Sequence, residues 1–183
     1  DLAPLEYELM IWLAIVREPV AYTTLRDRLA QPPAPRLVLE AVRALQRRSL
    51  LEKYEAGFGL QNVVLEYITD LLIENMGREL AEANGLLRTP LVTSYLNRYA
   101  LILAQSKEYV RASQTRLLLQ PMAKHLVAQL GSKGTEQQLQ RLLMQLRTAP
   151  PAPGYAAANL LHLLLQLGVD LSGYDFSQFY LRQ

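Results

Sequence analysis

Histidine and cysteine are the side chains that most often carry nucleophilic or acid–base chemistry near neutral pH. This chain contains two histidines and no cysteine, which excludes disulfides and thiolate metal sites. His125 and His162 stand on predicted helices without a neighbouring carboxylate at metal-ligand spacing. No GxxxxGK[ST] loop for nucleotide phosphates occurs. We therefore expect packing or surface roles for both histidines, no catalytic residue, no metal site, no cofactor bound by this segment and no enzyme activity.

A second group of side chains that could bind a ligand is a row of charged residues on one predicted helix, here called the charged ridge. It lies opposite Val38, Ala41, Val42 and Leu45, whose spacing of i, i+3, i+4 and i+7 is typical of a buried helix face. Arginines on the third helix of a DNA-binding module can contact the major groove. They can equally form a protein surface on which an acidic residue pairs with an arginine one turn away. The charged ridge consists of Arg36, Glu40, Arg43, Arg47 and Arg48.

The distribution of charge along the chain favours the protein surface. Residues 1–90 contain 10 lysines and arginines against 13 aspartates and glutamates, a net charge of −3. Residues 91–183 contain 9 against 4, a net charge of +5. Affinity for DNA comes largely from neutralising phosphates, and the half that carries the ridge is the acidic half. We therefore expect Glu40 to pair with Arg43 or Arg47, and we rank nucleic-acid binding second.

The ridge helix is predicted to be the third helix of a winged helix-turn-helix domain spanning residues 1–88. Apolar spacing predicts helices before and after it, and a change to strand-like spacing predicts a hairpin between them. Thr23 or Thr24 can cap the second helix, and Gly57 and Gly59 suit a hairpin tip that needs positive φ. Trp12 should be buried against the third helix. The predicted helices cover residues 4–16, 25–29, 37–45 and 63–75, and the predicted strands 49–54 and 58–61.

Residues 89–167 are predicted to form a helical domain. Val92, Leu96, Tyr99, Leu103 and Val110 trace one long amphipathic helix. Shorter helices follow over residues 113–119, 122–130, 136–147 and 155–167, with caps at Ser113 and Thr135, a start at Pro121, a loop over residues 131–134 and a stop at Gly168.

The tail, residues 168–183, has a different period. Leu171, Phe176 and Leu181 recur every five residues, and Asp170 and Asp175 each precede an apolar residue. Neither a helix nor a strand has this period, whereas a coil that turns a corner every five residues does. We therefore predict that the tail begins a pentapeptide-repeat β-coil, with Leu171 and Phe176 pointing to the coil axis.

Two other surfaces receive weaker support from the sequence. Tyrosines can form a recognition surface, but those at helical spacing are more often part of a core, and we expect this for Tyr99. The stretch from Leu160 to Leu167 lacks the basic face of a lipid-binding helix, which favours burial. No apolar run approaches the length of a membrane span. The tyrosines considered are Tyr95, Tyr99, Tyr109, Tyr155, Tyr174 and Tyr180.

Three stretches resemble the signal-transduction ATPases with numerous domains, the STAND or NB-ARC class. They are LEYELMIWLAIVREPV, LLEKYEAGFGLQNVVLEYITDLL and GYAAANLLHLLLQLGVDLSGYDFS. The chain is similar to the region between the ATPase and the sensor repeats of cyanobacterial WD-repeat members. In that class a Met-His-Asp motif after the second wing strand senses the nucleotide. Gln61 and Asn62 match its last two positions, so the resemblance implies a nucleotide-sensing role for them, with an uncharged amide in place of the imidazole.

The resemblance implies a non-catalytic regulatory segment that relays state between a nucleotide-binding domain and C-terminal sensor repeats. ATP or ADP would be bound by the neighbouring domain. The expected partners are the ATPase and sensor-repeat domains of the same polypeptide, with homo-oligomerisation on activation, no nucleic acid and no membrane, in the cytoplasm. The alternative is a winged-helix DNA-binding transcriptional regulator with a helical oligomerisation domain.

Overall fold

The computed structural model is mainly helical, as predicted, with a single two-stranded sheet among the residues it describes. It describes residues 2–29, 32–83, 90–148 and 153–172. The chain divides into two compact units, residues 1–71 and 72–183. The sequence predicted instead that the first domain ends at residue 88. The assignment of domains stays a prediction. None of the described helices combines the length and apolar character needed to cross a membrane.

The first unit contains three helices, a hairpin and the start of a fourth helix. Pro4 occupies the first turn of α1, where its missing N–H leaves no partner unsatisfied. The Glu6 carboxylate accepts the Ala3 N–H at 2.9 Å and fixes this helix start. Trp12 is fully buried, as predicted. The elements are α1 (Pro4–Val16), α2 (Tyr22–Arg28), α3 (Pro35–Arg47), β1 (Leu51–Tyr54), β2 (Gly57–Leu60) and α4 (Asn62–Glu82), whose C-terminal part belongs to the second unit.

Helix α2 begins earlier than predicted. Its N-cap is Ala21, so Thr23 and Thr24 lie inside the helix and cap nothing. The extended link before it, rather than a side-chain cap, determines this start, because Val20 exchanges both backbone hydrogen bonds with Phe58 of the hairpin at 3.0 and 2.9 Å.

The hairpin pairs β1 and β2 antiparallel, from Leu51 opposite Leu60 to Tyr54 opposite Gly57. Gly57 has φ 143°, and a Cβ added to it would lie 2.1 Å from the carbonyl oxygen of Val20. Glycine is therefore required there by both conformation and space. The expectation of positive φ at Gly59 is wrong. Its Cβ would instead meet the ring of Tyr54 at 3.1 Å, so this glycine makes room for a side chain.

The second unit contains a predicted helix that does not form. The expected long helix from Val92 to Val110 is broken between Tyr99 and Lys107. Ser94 caps a four-residue helix by accepting the Asn97 N–H at 3.2 Å, and Tyr99 then adopts an extended conformation with φ −121°. The elements are a 3₁₀ turn (Leu91–Thr93), α5 (Tyr95–Arg98), α6 (Glu108–Gln114), a π turn (Thr115–Leu119), α7 (Gln120–Thr148) and α8 (Ala156–Gln166).

Helices α6 and α7 are joined through the π turn, contrary to prediction. Ser113 lies inside α6 and Pro121 inside α7, so neither begins a helix. A proline ring collides with the carbonyl four residues earlier in an α-helix, and the wider π turn that precedes Pro121 relieves this collision. The predicted loop at residues 131–134 is reduced to Gly131, whose φ of 71° interrupts α7. Thr135 donates its hydroxyl to the Gly131 carbonyl at 2.8 Å rather than capping from outside.

The predicted last helix and its stop are present, whereas the predicted pentapeptide coil stays a prediction. Helix α8 ends at Gln166, and Gly168 stops it with φ 78°. Beyond it, the Asp170 carboxylate accepts the Ser172 N–H at 2.9 Å, and Leu171 is half-buried. Phe176 and Leu181, on which the predicted pentapeptide coil depends, lie outside the described residues.

Candidate functional site

The charged ridge lies on the solvent face of α3, because the opposite face is buried. Pro35 begins the helix, and Val38, Val42 and Leu45 are fully buried in the first unit. All five ridge side chains are exposed. Helical spacing alone was enough to predict this division.

Glu40 pairs with Arg36 rather than with Arg43 or Arg47. The Arg36 Nε and the Glu40 carboxylate are 3.1 Å apart, one turn from each other. Both side chains are largely exposed, 83% and 56%, so the pair contributes little to stability. Its consequence is that one positive charge of the ridge is neutralised at the N-terminal end.

Arg48 is held at the other end of the ridge by a contact that the sequence did not indicate. Its guanidinium donates to the Glu6 carboxylate at 3.3 Å, and the Glu6 side chain is only 9% exposed. The same oxygen accepts the Ala3 N–H. Arg48 therefore connects the end of α3 to the start of α1, and the residues are 42 positions apart in the chain.

Arg43 and Arg47 supply the charge that remains available on the ridge. Within the described residues, neither has a carboxylate within 4.0 Å. They stand one turn apart on the same face, at roughly 6 Å. Two adjacent guanidinium groups in this arrangement can bind a pair of carboxylates or phosphates.

The hairpin beside the ridge is acidic. Glu52, Lys53, Tyr54 and Glu55 are all exposed. The Tyr54 hydroxyl donates to the Glu52 carboxylate at 2.6 Å, and this hydrogen bond raises the pKa of Tyr54. A DNA phosphate close to this hairpin would meet the like charges of two carboxylates, which repel it.

Gln61 and Asn62 stand at the N-terminus of α4. The Gln61 carbonyl accepts the Leu65 N–H at 2.7 Å, and the Asn62 side chain is exposed. No hydrogen bond joins either side chain to the charged ridge in the part of the chain that is described. The predicted nucleotide-sensing pair and the predicted interaction surface are thus separate features of the first unit.

Both histidines are engaged in packing within the second unit. The His125 ring makes a hydrogen bond of 2.8 Å to the Gln129 side chain. A Cβ on Gly77 would lie 2.4 Å from the same ring, so this glycine lets α4 approach α7. Burial lowers the pKa of His162 below its ordinary value. Among the described residues, no three His, Asp or Glu side chains are grouped so that they could hold a metal ion.

The second unit also contains buried polar groups that spacing did not identify as important. Asn159 is buried on α8, and its amide donates to the carbonyls of Leu96 and Tyr99 at 2.8 and 2.7 Å. Its oxygen accepts the Leu101 N–H at 2.8 Å. The available signal was an asparagine within the apolar run AAANLLHLLL, at a position where helix spacing requires burial.

Glu79 of α4, which is half-buried, is a second polar group that spacing did not identify. Its carboxylate accepts the Tyr95 N–H at 2.8 Å at the start of α5. Burial raises the pKa of Glu79 above its ordinary value, and the hydrogen bonds that the carboxylate accepts offset only part of this effect.

The chain is similar to one part of a much longer protein. It is 41% identical over 204 residues to an uncharacterized WD repeat-containing protein of Nostoc sp., and the match covers 96% of this chain. The chain spans only 16% of the length of that relative. No protein-family model matches the chain, and no solved structure matches it.

Proposed function

We propose that this chain is a non-catalytic regulatory segment of a STAND-class protein, which relays state between a nucleotide-binding domain and C-terminal sensor repeats. The observation that carries the proposal is the match to a WD repeat-containing protein over nearly the whole chain but a small part of the relative. WD repeats form propellers that bind other proteins. A segment attached to such repeats would transmit the signal that arises when they bind a partner.

The arrangement of the first unit supports a winged helix in this role. Three helices precede a two-stranded hairpin, and Val20 forms an isolated antiparallel bridge with Phe58 of that hairpin. This is the element order of a winged helix-turn-helix. In STAND proteins such a domain follows the ATPase domain.

The charged ridge would then contact the neighbouring ATPase domain in the resting state. Arg43 and Arg47 are the ridge residues whose charge is available for a partner. Release of this contact on nucleotide exchange requires a difference in binding energy between two states. ATP or ADP would be held by the neighbouring domain, and Gln61 and Asn62 would lie at its border. The tail after Gly168 would lead towards the sensor repeats.

A DNA-binding regulator is the second candidate, and the same ridge arginines support it. Two available guanidinium groups are few for a DNA site, since tight binders make roughly 6–10 phosphate contacts. The carboxylates of Glu52 and Glu55 on the adjacent hairpin oppose it further.

One titration distinguishes the two candidates. The chain, labelled with a fluorophore, is mixed with the separately produced ATPase segment of the parent polypeptide in ADP, and in parallel with random duplex DNA at low salt. We expect saturable binding to the ATPase segment, weakened at least about ten-fold by Arg43→Ala with Arg47→Ala, because two charge-assisted contacts are lost. The matched control, Lys133→Ala with Arg141→Ala on α7, should bind normally. Salt-sensitive binding to DNA that depends on Arg43 and Arg47 would contradict the proposal.

A further inference from the structure

The outer face of the first turns of α4 presents large apolar side chains to solvent. Val63 is 79% exposed and Tyr67 is 62% exposed, one turn further along. Ile68, on the inner face of the same helix, is buried. Adjacent exposed apolar side chains with a polar rim mark interaction sites more often than isolated ones do.

Two carboxylates complete this surface, here called the acidic face. Glu66 and Asp70 are exposed and stand three and seven residues after Val63. With 3.6 residues per turn, the four side chains lie within about 100° of the helix circumference and about 11 Å of its length. No ion pair engages Glu66 or Asp70 in the described parts of the chain. The acidic face consists of Val63, Glu66, Tyr67 and Asp70.

The acidic face and the ridge arginines are complementary in spacing and charge. Glu66 and Asp70 are separated by four residues, as are Arg43 and Arg47, so both pairs span roughly 6 Å along a helix. The exposed ring of Tyr67 offers a surface on which a guanidinium group can stack. No ion pair joins the two sets within the described chain. Both pairs are therefore accessible to a charged group on another molecule.

We propose that the acidic face of α4 binds Arg43 and Arg47 of a second copy of this chain. A twofold arrangement satisfies both surfaces of both copies, because each copy supplies one ridge and one acidic face. The proposal rests on the proposed function in taking the charged ridge as a protein-binding surface, which the second copy would occupy when the ATPase domain has released it. A helix-sized contact is smaller than the roughly 1,200–2,000 Å² of stable interfaces. We therefore expect a weak dimer, with a dissociation constant on the order of 10–100 µM.

A charge-swap experiment tests this pairing. Sedimentation equilibrium at low salt measures the dissociation constant of the full chain and of two variants, Arg43→Glu with Arg47→Glu and Glu66→Lys with Asp70→Lys. We expect each variant alone to dimerise at least about ten-fold more weakly, because both contacts across the twofold become repulsive. Mixing the two variants should restore a dimer of one copy of each, because every reversed charge then faces an opposite one.

Lys133→Glu with Arg141→Glu is the control, since it makes the same change in net charge as Arg43→Glu with Arg47→Glu, on exposed residues of α7. It should dimerise like the unmodified chain. Circular dichroism establishes that each variant is folded, and all four swapped positions are exposed. A chain that stays monomeric up to about 1 mM, reversed variants that fail to associate on mixing, or a control that weakens equally would each overturn the proposal.

Salt provides a second measurement that needs no substitution. Raising the ionic strength from about 0.05 to about 0.5 M should weaken the dimer at least ten-fold, because exposed charges are screened. A dimer insensitive to salt would overturn the proposed pairing. Binding of duplex DNA by the ridge would instead contradict the proposed function. The DNA titration measures that binding separately from the sedimentation of the dimer.

Discussion

At the scale of single residues, Asn159 of α8 holds the backbone of another part of the second unit. Its side chain makes three hydrogen bonds to backbone groups of residues 96–101, and it is buried. When a buried donor or acceptor loses its partner, stability falls by the full desolvation free energy of that group. The bend after α5 therefore depends on an amide contributed by α8, together with the buried Gln114 side chain, which accepts the Leu103 N–H at 3.0 Å.

Replacing Asn159 with alanine tests this dependence. We expect a loss of about 3–5 kcal/mol in the free energy of unfolding, since two carbonyls and one N–H are left buried without partners. Urea denaturation measures it. Gln137→Ala on the exposed face of α7 is the control and should change stability by less than about 0.5 kcal/mol. A similarly small change for Asn159→Ala would contradict the role given to this amide.

The raised pKa of Glu79 predicts how the stability of the folded chain depends on pH. Its pKa is raised in the folded chain by burial, so the folded state holds this proton more tightly than the unfolded state. Stability contributed by protonated Glu79 is present below the ordinary carboxyl value of 4.5 and is lost as pH rises through the higher folded pKa. Glu79→Gln should remove this dependence, as seen in urea denaturation measured from pH 4 to pH 7 in steps of about half a unit. If the two proteins differ by a constant amount across that range, Glu79 does not titrate as described.

The charged ridge shows what a sequence can predict about side chains. Its exposure follows from helix spacing, because the apolar residues of α3 alternate with the charged ones in a 3.6-residue period. Its ion pairs do not follow. Glu40 had arginines within reach on both sides, and it pairs with Arg36. The partner of Arg48 is Glu6, 42 residues away, a distance at which local spacing carries no information.

At the scale of elements, local rules predicted the first unit better than the second. Helices α1 and α3 and the hairpin follow apolar spacing and turn residues, which act over a few positions. The break between Tyr99 and Lys107 has no such signal, because the spacing of Val92, Leu96, Tyr99 and Leu103 fits a helix. The hydrogen bonds of Asn159 stabilise a different backbone path there, and tertiary contacts override the intrinsic preference.

Two glycines provide a matched test at this scale. Gly57→Ala should destabilise the chain by at least about 2 kcal/mol, because its φ of 143° is unfavourable for alanine and the added Cβ would meet the Val20 carbonyl. Gly134→Ala should be neutral or stabilise by up to about 1 kcal/mol, since this residue lies within α7 and its Cβ would meet only the Leu130 Cβ at 3.4 Å. Thermal denaturation of both variants checks this. Equal effects would mean that the hairpin tip is not constrained as described.

At the scale of the whole molecule, the absence of a P-loop sequence predicts how the chain responds to nucleotide. Calorimetric titration with ATP and magnesium should give no binding, because the phosphates lack the backbone cradle and lysine that hold them in P-loop proteins. Gln61→Ala should leave this result unchanged. Dissociation in the micromolar range would contradict it and would assign nucleotide binding to this segment itself.

The contacts of Asn159 also bear on the order in which the chain acquires its structure. This residue is synthesised 58 to 63 positions after the backbone groups that it binds. Until α8 has been made and docked, residues 92–110 lack the hydrogen bonds of Asn159, and their apolar spacing favours a helix. The nascent second unit should therefore pass through a continuous helix over this stretch and lose it late, when the amide arrives. A ribosome-stalled chain ending before Tyr155 should show this transient helix, and closure of so long a loop should slow the folding of the second unit.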